Sequence, residues 1–211
     1  MRTDMKRGNR TSVRRLEATA VTVLVALLAA GCGSTPDTPG LFGKAMQRIG
    51  ISEPSPERAR LVPVRLHGGE NLNAGVGGRP SAVVLKIYQL RDGQRFDAAP
   101  FAAFLDEDSE KQALGQDLLA VDEIVLAPGA RQERPTQVAA GTGAIGVVAL
   151  FQAPANGRWR LRFDAAHADL ERDGITLGVH ACALTTSSPA LRTRTAAAPS
   201  SLVSVRCADA R

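Results

Sequence analysis

Apolar and polar residues alternate with a period of two from residue 61 onward. Val62, Val64 and Leu66 fall on one side of the chain, Pro63, Arg65 and His67 on the other, the pattern of a strand. Residues 82–90 (AVVLKIYQL) predict the strongest strand, with Val83, Leu85 and Ile87 on one face and Lys86 and Tyr88 on the other. Further strands are predicted over 121–126, 136–140, 144–151, 158–163, 175–184 and 202–207. In 158–163 (RWRLRF) the alternation is so clean that one face belongs to the core and the other to solvent or a charged partner. The period changes once. Asp97 is the predicted N-cap of a helix over 98–105, with Pro100 in its first turn and Phe101, Phe104 and Leu105 packing it down. Ser109 starts a further helical turn through Leu114, stopped by Gly115. About eight strands with one helical insertion predict a mainly β chain, a two-sheet β-sandwich over 61–211. Residues 189–201, with a proline near each end, read as a loose loop before the last strand.

The N-terminal pattern is different. Six basic residues between Arg2 and Arg15 precede an apolar run over 18–30, which small residues Ala29, Ala30 and Gly31 close. That is the anatomy of a secretory signal, and the run is shorter than the roughly 20 apolar residues of a spanning helix. With a cysteine directly after Gly31, the segment resembles a bacterial lipoprotein signal, although Ala29 stands where leucine is usual. The expected organisation is a signal peptide over 1–31, then a lipidated Cys32 opening a linker and short amphipathic helix over 32–60, then the sandwich. Gly33 rather than aspartate resembles lipoproteins sorted to the outer membrane.

This division changes the charge. The leader holds six basic and two acidic residues, which leaves 20 basic against 19 acidic in the remainder, a net +1. A nucleic-acid partner therefore has no global electrostatic support. Cys182 and Cys207 remain as a pair in a compartment that permits disulfides. They fall in the last two predicted strands with mismatched side-chain parity, so a bridge and two buried thiols both stay open.

No catalytic constellation emerges. Residues 141–146 (GTGAIG) match a dinucleotide-binding fingerprint, but the residues that follow are β-rich, and no helix starts there to face a pyrophosphate. Histidines 67, 167 and 180 lie far apart and read as surface residues, and the acidic run Asp106, Glu107, Asp108 and Glu110 reads as a solvated helix junction. No metal or cofactor is expected. The connection over 67–81 (HGGENLNAGVGGRPS) is too long for a hairpin turn and suits a binding role, with Asn71, Asn73 and Arg79 as polar contacts.

Several pieces occur in a telling order: Leu72-Asn73, Gly78-Arg79-Pro80-Ser81, VVLKIYQL at 83–90 followed by Phe96 and Phe101, ALGQD at 113–117, Ala127-Pro128-Gly129, IGVVALF at 145–151, and Trp159-Arg160. Together they resemble the type VI secretion lipoproteins called TssJ, VasD or Lip, over 61–163 plus the leader. Departures are Ala74 where proline is frequent, Gln152-Ala153 where arginine-aspartate is frequent, and a longer tail. The resemblance implies a transthyretin-like β-sandwich, tethered to the periplasmic face of the outer membrane. Its implied partner is the periplasmic C-terminal region of the inner-membrane protein TssM. It also implies that the loop between the first two strands binds that partner, here Asn73, Ala74, Gly75, Val76, Gly77, Gly78, Arg79, Pro80 and Ser81, with Arg79 as charged contact. The rival is a lipidated ligand- or carbohydrate-binding sandwich, for which one Trp and one Tyr offer few stacking surfaces.

Overall fold

A computed structural model describes residues 60–208 of the chain. The expected signal peptide over 1–31, Cys32, and the expected linker and short helix lie outside the described residues.

The strands are β1 (Arg60–Gly68), β2 (Val83–Leu90), β3 (Leu118–Leu126), β4 (Arg131–Val138), β5 (Ala144–Ala149), β6 (Arg160–Asp164), β7 (Ile175–Val179) and β8 (Leu184–Thr186). They form two four-stranded sheets, in the orders β4-β1-β7-β8 and β3-β2-β5-β6. Neighbours pair antiparallel throughout, except that β1 and β7 run parallel, joined in register from Val64 opposite Ile175 to Gly68 opposite Val179. The inward residues are those the alternation selects: Val62, Val64 and Leu66 from one sheet, and Val83, Leu85 and Ile87 from the other, all buried.

The second sheet is covered on its outer face as well. The connection from β2 to β3 folds as α1 (Gln94–Ala98), a 3-10 turn (Phe101–Leu105) and α2 (Glu107–Leu114), which lie over it as a third layer. Tyr88, Phe96 and Phe104 meet there with ring centroids 5.5 to 5.7 Å apart, and Trp159 packs at 5.0 Å from Phe101 and 5.5 Å from Phe104. The face of β2 that bears Lys86 and Tyr88 is therefore interior. Arg160 and Arg162 also serve this layer rather than solvent. The Arg160 guanidinium donates to the carbonyls of Phe96, Asp97 and Ala99 and stacks 4.6 Å from the Trp159 ring, while Arg162 pairs with Asp97 at 2.7 Å.

Four expectations are corrected here. The helix expected over 98–105 is split, and Asp97 is inside α1 rather than its cap. Pro100 is the cause. It restricts the residue before it, and Ala99 is extended at φ −64° and ψ 136°. The junction over 106–110 is only partly solvated, because Glu110, on the inner face of α2, is 3 % exposed, although Asp106 caps that helix by accepting the Ser109 N–H at 2.9 Å. The strand expected over 175–184 is two strands. It turns back at His180 to Ala183, where the His180 N–H donates to Ala183 O at 3.0 Å, and β8 returns along β7. This hairpin supplies the eighth strand, and 202–207 is not a strand.

The tail is nonetheless fastened. Cys182 and Cys207 form a disulfide with Cα atoms 5.5 Å apart. Cys182 sits in the hairpin turn and Cys207 in a turn-rich segment, so the strand-parity conflict does not arise. Arg158, itself buried, donates to the carbonyls of Leu184, Ala198, Pro199 and Ser201. The 189–201 stretch is tied down rather than loose.

Candidate functional site

The connection from β1 to β2 divides into a buried foot and an exposed tip. Leu72 is inserted into the core, and the Asn73 backbone N–H donates to His180 O at 3.0 Å. Asn73 is 4 % exposed. Its amide donates to Ser81 Oγ and Ala82 O, each at 3.1 Å, while its side-chain oxygen accepts the Gln152 backbone N–H at 2.9 Å. The Gln152 side chain adds a second link, from Nε2 to Ser81 Oγ at 2.9 Å. Gly75 donates to Ala181 O at 3.1 Å, and Ser81 donates back to Leu72 O at 3.0 Å. The foot is thus held to the β5–β6 and β7–β8 turns at once.

Above the foot the chain turns tightly. The Gly78 N–H donates to Ala74 O at 3.1 Å, and a Cβ on Gly78 would lie 2.2 Å from that oxygen, so no larger residue fits there. Val76, Gly77, Gly78, Arg79 and Pro80 are exposed, Val76 by 75 %. Arg79 makes no ion pair among the described residues. Of the expected binding residues, the structure places Val76 to Pro80 at the surface. It places Asn73, Ala74, Gly75 and Ser81 in or beside the foot, where they shape the loop. Asn71 is exposed next to it. The alanine at 74 and Gln152-Ala153, the two departures inside the resemblance, both lie at this foot, with Ala153 Cβ 3.2 Å from where a Gly75 Cβ would stand.

Other candidates are absorbed by packing. The 141–146 glycine run leads into β5, and a Cβ on Gly146 would stand 2.7 Å from Phe96 Cζ, so that glycine admits the helical layer to the sheet. His67 is exposed and His167 half-buried. His180 is half-buried too, contrary to the surface reading. Its Nε2 is 3.0 Å from Thr185 Oγ1, and burial and then the Arg158 charge hold its pKa below the usual imidazole value. Among the described residues no group of three His, Cys, Asp or Glu side chains could hold a metal ion. Tyr88 and Trp159 are both buried, so neither offers an open face to a sugar ring. Sequence reasoning gives no anchoring role to Gln152, Ala181 or Arg158, because each acts through a partner distant in sequence.

The comparisons agree with this architecture. The family described as type VI secretion lipoprotein, VasD, EvfM, TssJ, matches residues 60–182. A solved structure titled "Type VI membrane complex" contains a chain 25 % identical, with a TM-score of 0.55 over 62 % of this chain and 100 % of that one. A chain in a structure titled "T6SS protein TssM C-terminal domain (869-1107) from EAEC" is 25 % identical, with a TM-score of 0.52 over 61 % of this chain and 98 % of that one. Serratia marcescens Lip, titled a membrane bound component of the type VI secretion system, shares the fold at 20 % identity, with a TM-score of 0.53 over 62 % of this chain and 97 % of its own. No curated protein matches the chain significantly. The matched segment spans β1 to the β7–β8 turn, more than half of the chain, and the chain belongs to the type VI secretion lipoprotein family of TssJ and VasD.

Proposed function

We propose that this protein is the outer-membrane lipoprotein of a type VI secretion membrane complex, lipidated at Cys32 and docked through its β1–β2 loop onto the periplasmic C-terminal region of TssM. The family is one of structural lipoproteins, not of enzymes. In this reading the work is mechanical. Acyl chains on Cys32 hold one end, where each buried methylene contributes about 0.8 kcal/mol and a second chain makes release slow. The linker spans the gap to the sandwich, which presents the tip Val76 to Pro80 to the inner-membrane component.

The observation that carries the reading is the footing of that loop. A tip with an exposed valine and an arginine that has no ion pair among the described residues stands on a base cross-linked by Asn73 and Gln152. A loop held in one conformation loses little freedom on binding, so more of its contact energy appears as affinity. The test uses the mature protein in detergent with the TssM periplasmic region. Binding in the micromolar range or tighter is expected, and Arg79→Glu weakens it. No binding by the native chain would defeat the docking. For the anchor, Cys32→Ser should abolish acyl labelling and secretion, and full secretion by that variant would count against the tether.

A further inference from the structure

The end of the sandwich that bears the β1–β2 loop also bears a cleft of about 460 Å³. One wall is the β5–β6 turn, with Arg158; the other is the C-terminal strap, residues 187–208, with Arg194, Ala196, Val203 and Arg206. Among the described residues no acidic side chain lines it. Arg158 is committed to backbone carbonyls of Leu184 and the strap. Arg194 and Arg206 are exposed and make no ion pair or hydrogen bond among the described residues. Val203 is 74 % exposed at the same wall.

The cleft is contiguous with the loop foot. Gly75 donates to Ala181 O at 3.1 Å, the next residue is the bridged Cys182, and the Ala155 N–H donates to Cys182 O at 2.9 Å. Ala155, Cys182 and Ala183 form a small apolar cluster, with Val205 and Cys207 packed against it. One short path of bonded contacts therefore joins the loop foot, the disulfide and the cleft lining. The family match ends at Cys182, so Cys207 and the strap that completes the cleft lie beyond the shared region.

Resting on the docking reading above, we propose that this cleft takes an acidic, extended segment of the same periplasmic partner, so that the strap helps set which partner the chain accepts. The chemistry follows from the lining. Two guanidiniums without an ion-pair partner among the described residues recognise carboxylates through paired, charge-assisted hydrogen bonds, and the exposed Val203 in the same lining offers apolar contact on docking. Continuity with the loop favours this occupant over a free anion. A protein segment already held at the tip meets the cleft at high effective concentration.

The test compares the mature protein in detergent with its Arg79→Glu variant and its Arg194→Glu/Arg206→Glu double variant, each titrated with the partner's periplasmic region. The double variant is expected to bind at least about tenfold more weakly, with a shallower dependence on salt and an unchanged unfolding midpoint. The Arg194→Lys/Arg206→Lys variant should recover part of the loss. If the double variant binds like the native chain while Arg79→Glu weakens binding, the cleft proposal is overturned and the loop reading stands. If the native chain itself does not bind, both fall. Native partner affinity with lost sedimentation on phosphatidylglycerol vesicles would also overturn the proposal, assigning the cleft to lipid headgroups instead.

Discussion

The Asn73 side-chain oxygen accepts the Gln152 backbone N–H at 2.9 Å, and the Asn73 amide donates to Ser81 and Ala82. One side chain thereby joins both ends of the β1–β2 loop to a turn far along the chain. Asn73 is also left-handed, at φ 55°, a conformation that asparagine tolerates better than most residues. Asn73→Ala removes the bonds and adds backbone strain, and it should cost about 2–4 kcal/mol, read from the urea midpoint. Asn73→Gly loses the bonds without the strain and should cost less. Equal losses in the two variants would remove the backbone from this account.

Lys86 Nζ lies 2.5 Å from Glu110 Oε2 and 3.1 Å from Glu123 Oε1, and the Tyr88 hydroxyl donates to Glu110 at 3.1 Å. Burial, then the Glu110 charge and hydrogen bond, push the Tyr88 pKa far up. For Lys86 burial acts downward, but the hydrogen bonds and charges of Glu110 and Glu123 outweigh it and the pKa rises. Groups with raised folded-state values contribute stability that is full below their unfolded values and lost as pH climbs toward the folded ones. The loss should therefore begin near pH ~10, where the unfolded chain starts releasing these protons. Tyr88 is the single tyrosine, so tyrosinate absorbance follows it alone. Absorbance should appear only as the protein unfolds. Smooth titration at an ordinary tyrosine pKa in the folded state would refute the buried cluster. Glu110→Ala, which leaves Lys86 with only its exposed partner, should cost about 3–5 kcal/mol, and Lys86→Met/Glu110→Leu less.

Gly146 lies under the Phe96 ring, where a Cβ would stand 2.7 Å from Cζ. Gly146→Ala must push the helical layer off the sheet and should cost about 1–3 kcal/mol by thermal unfolding. A second substitution, Phe96→Leu, should lessen that penalty. If it does not, the contact is not the source of the cost.

These sites show what the chain discloses locally. Strands such as β1 and β2 are legible because the period-two pattern and burial are one fact seen twice. The β7–β8 hairpin is not, since ITLGVHACALTT stays apolar through a turn with neither glycine nor proline at His180 to Ala183. The outer face of β2 reads as half-polar, yet Lys86 and Tyr88 are buried because Glu110 arrives from α2 to partner them. The β1–β2 loop is legible by its length and by the family resemblance. Its anchorage is not, because the bonds that create it run to Gln152, His180 and Ala181.

The Cys182–Cys207 bridge spans 25 residues, and loop closure of that length is worth about 3 kcal/mol. Cys207 lies outside every strand and the bridge seals only the strap, so reduction should release the strap without unfolding the sandwich. Amide exchange should rise at Val205, and at Thr186, whose N–H donates to Pro199 O at 3.1 Å, while β2 and β5 stay protected. Arg158→Ala should produce the same local signature with the disulfide intact, because the carbonyls of Leu184, Ala198, Pro199 and Ser201 lose their shared donor. Arg158→Lys should restore little, since one ammonium cannot reach carbonyls that the guanidinium fork spans. Exchange in β2 and β5 that rose in step with the strap on reduction would make strap and sandwich one cooperative unit. The strap would then be part of the core rather than an attachment to it.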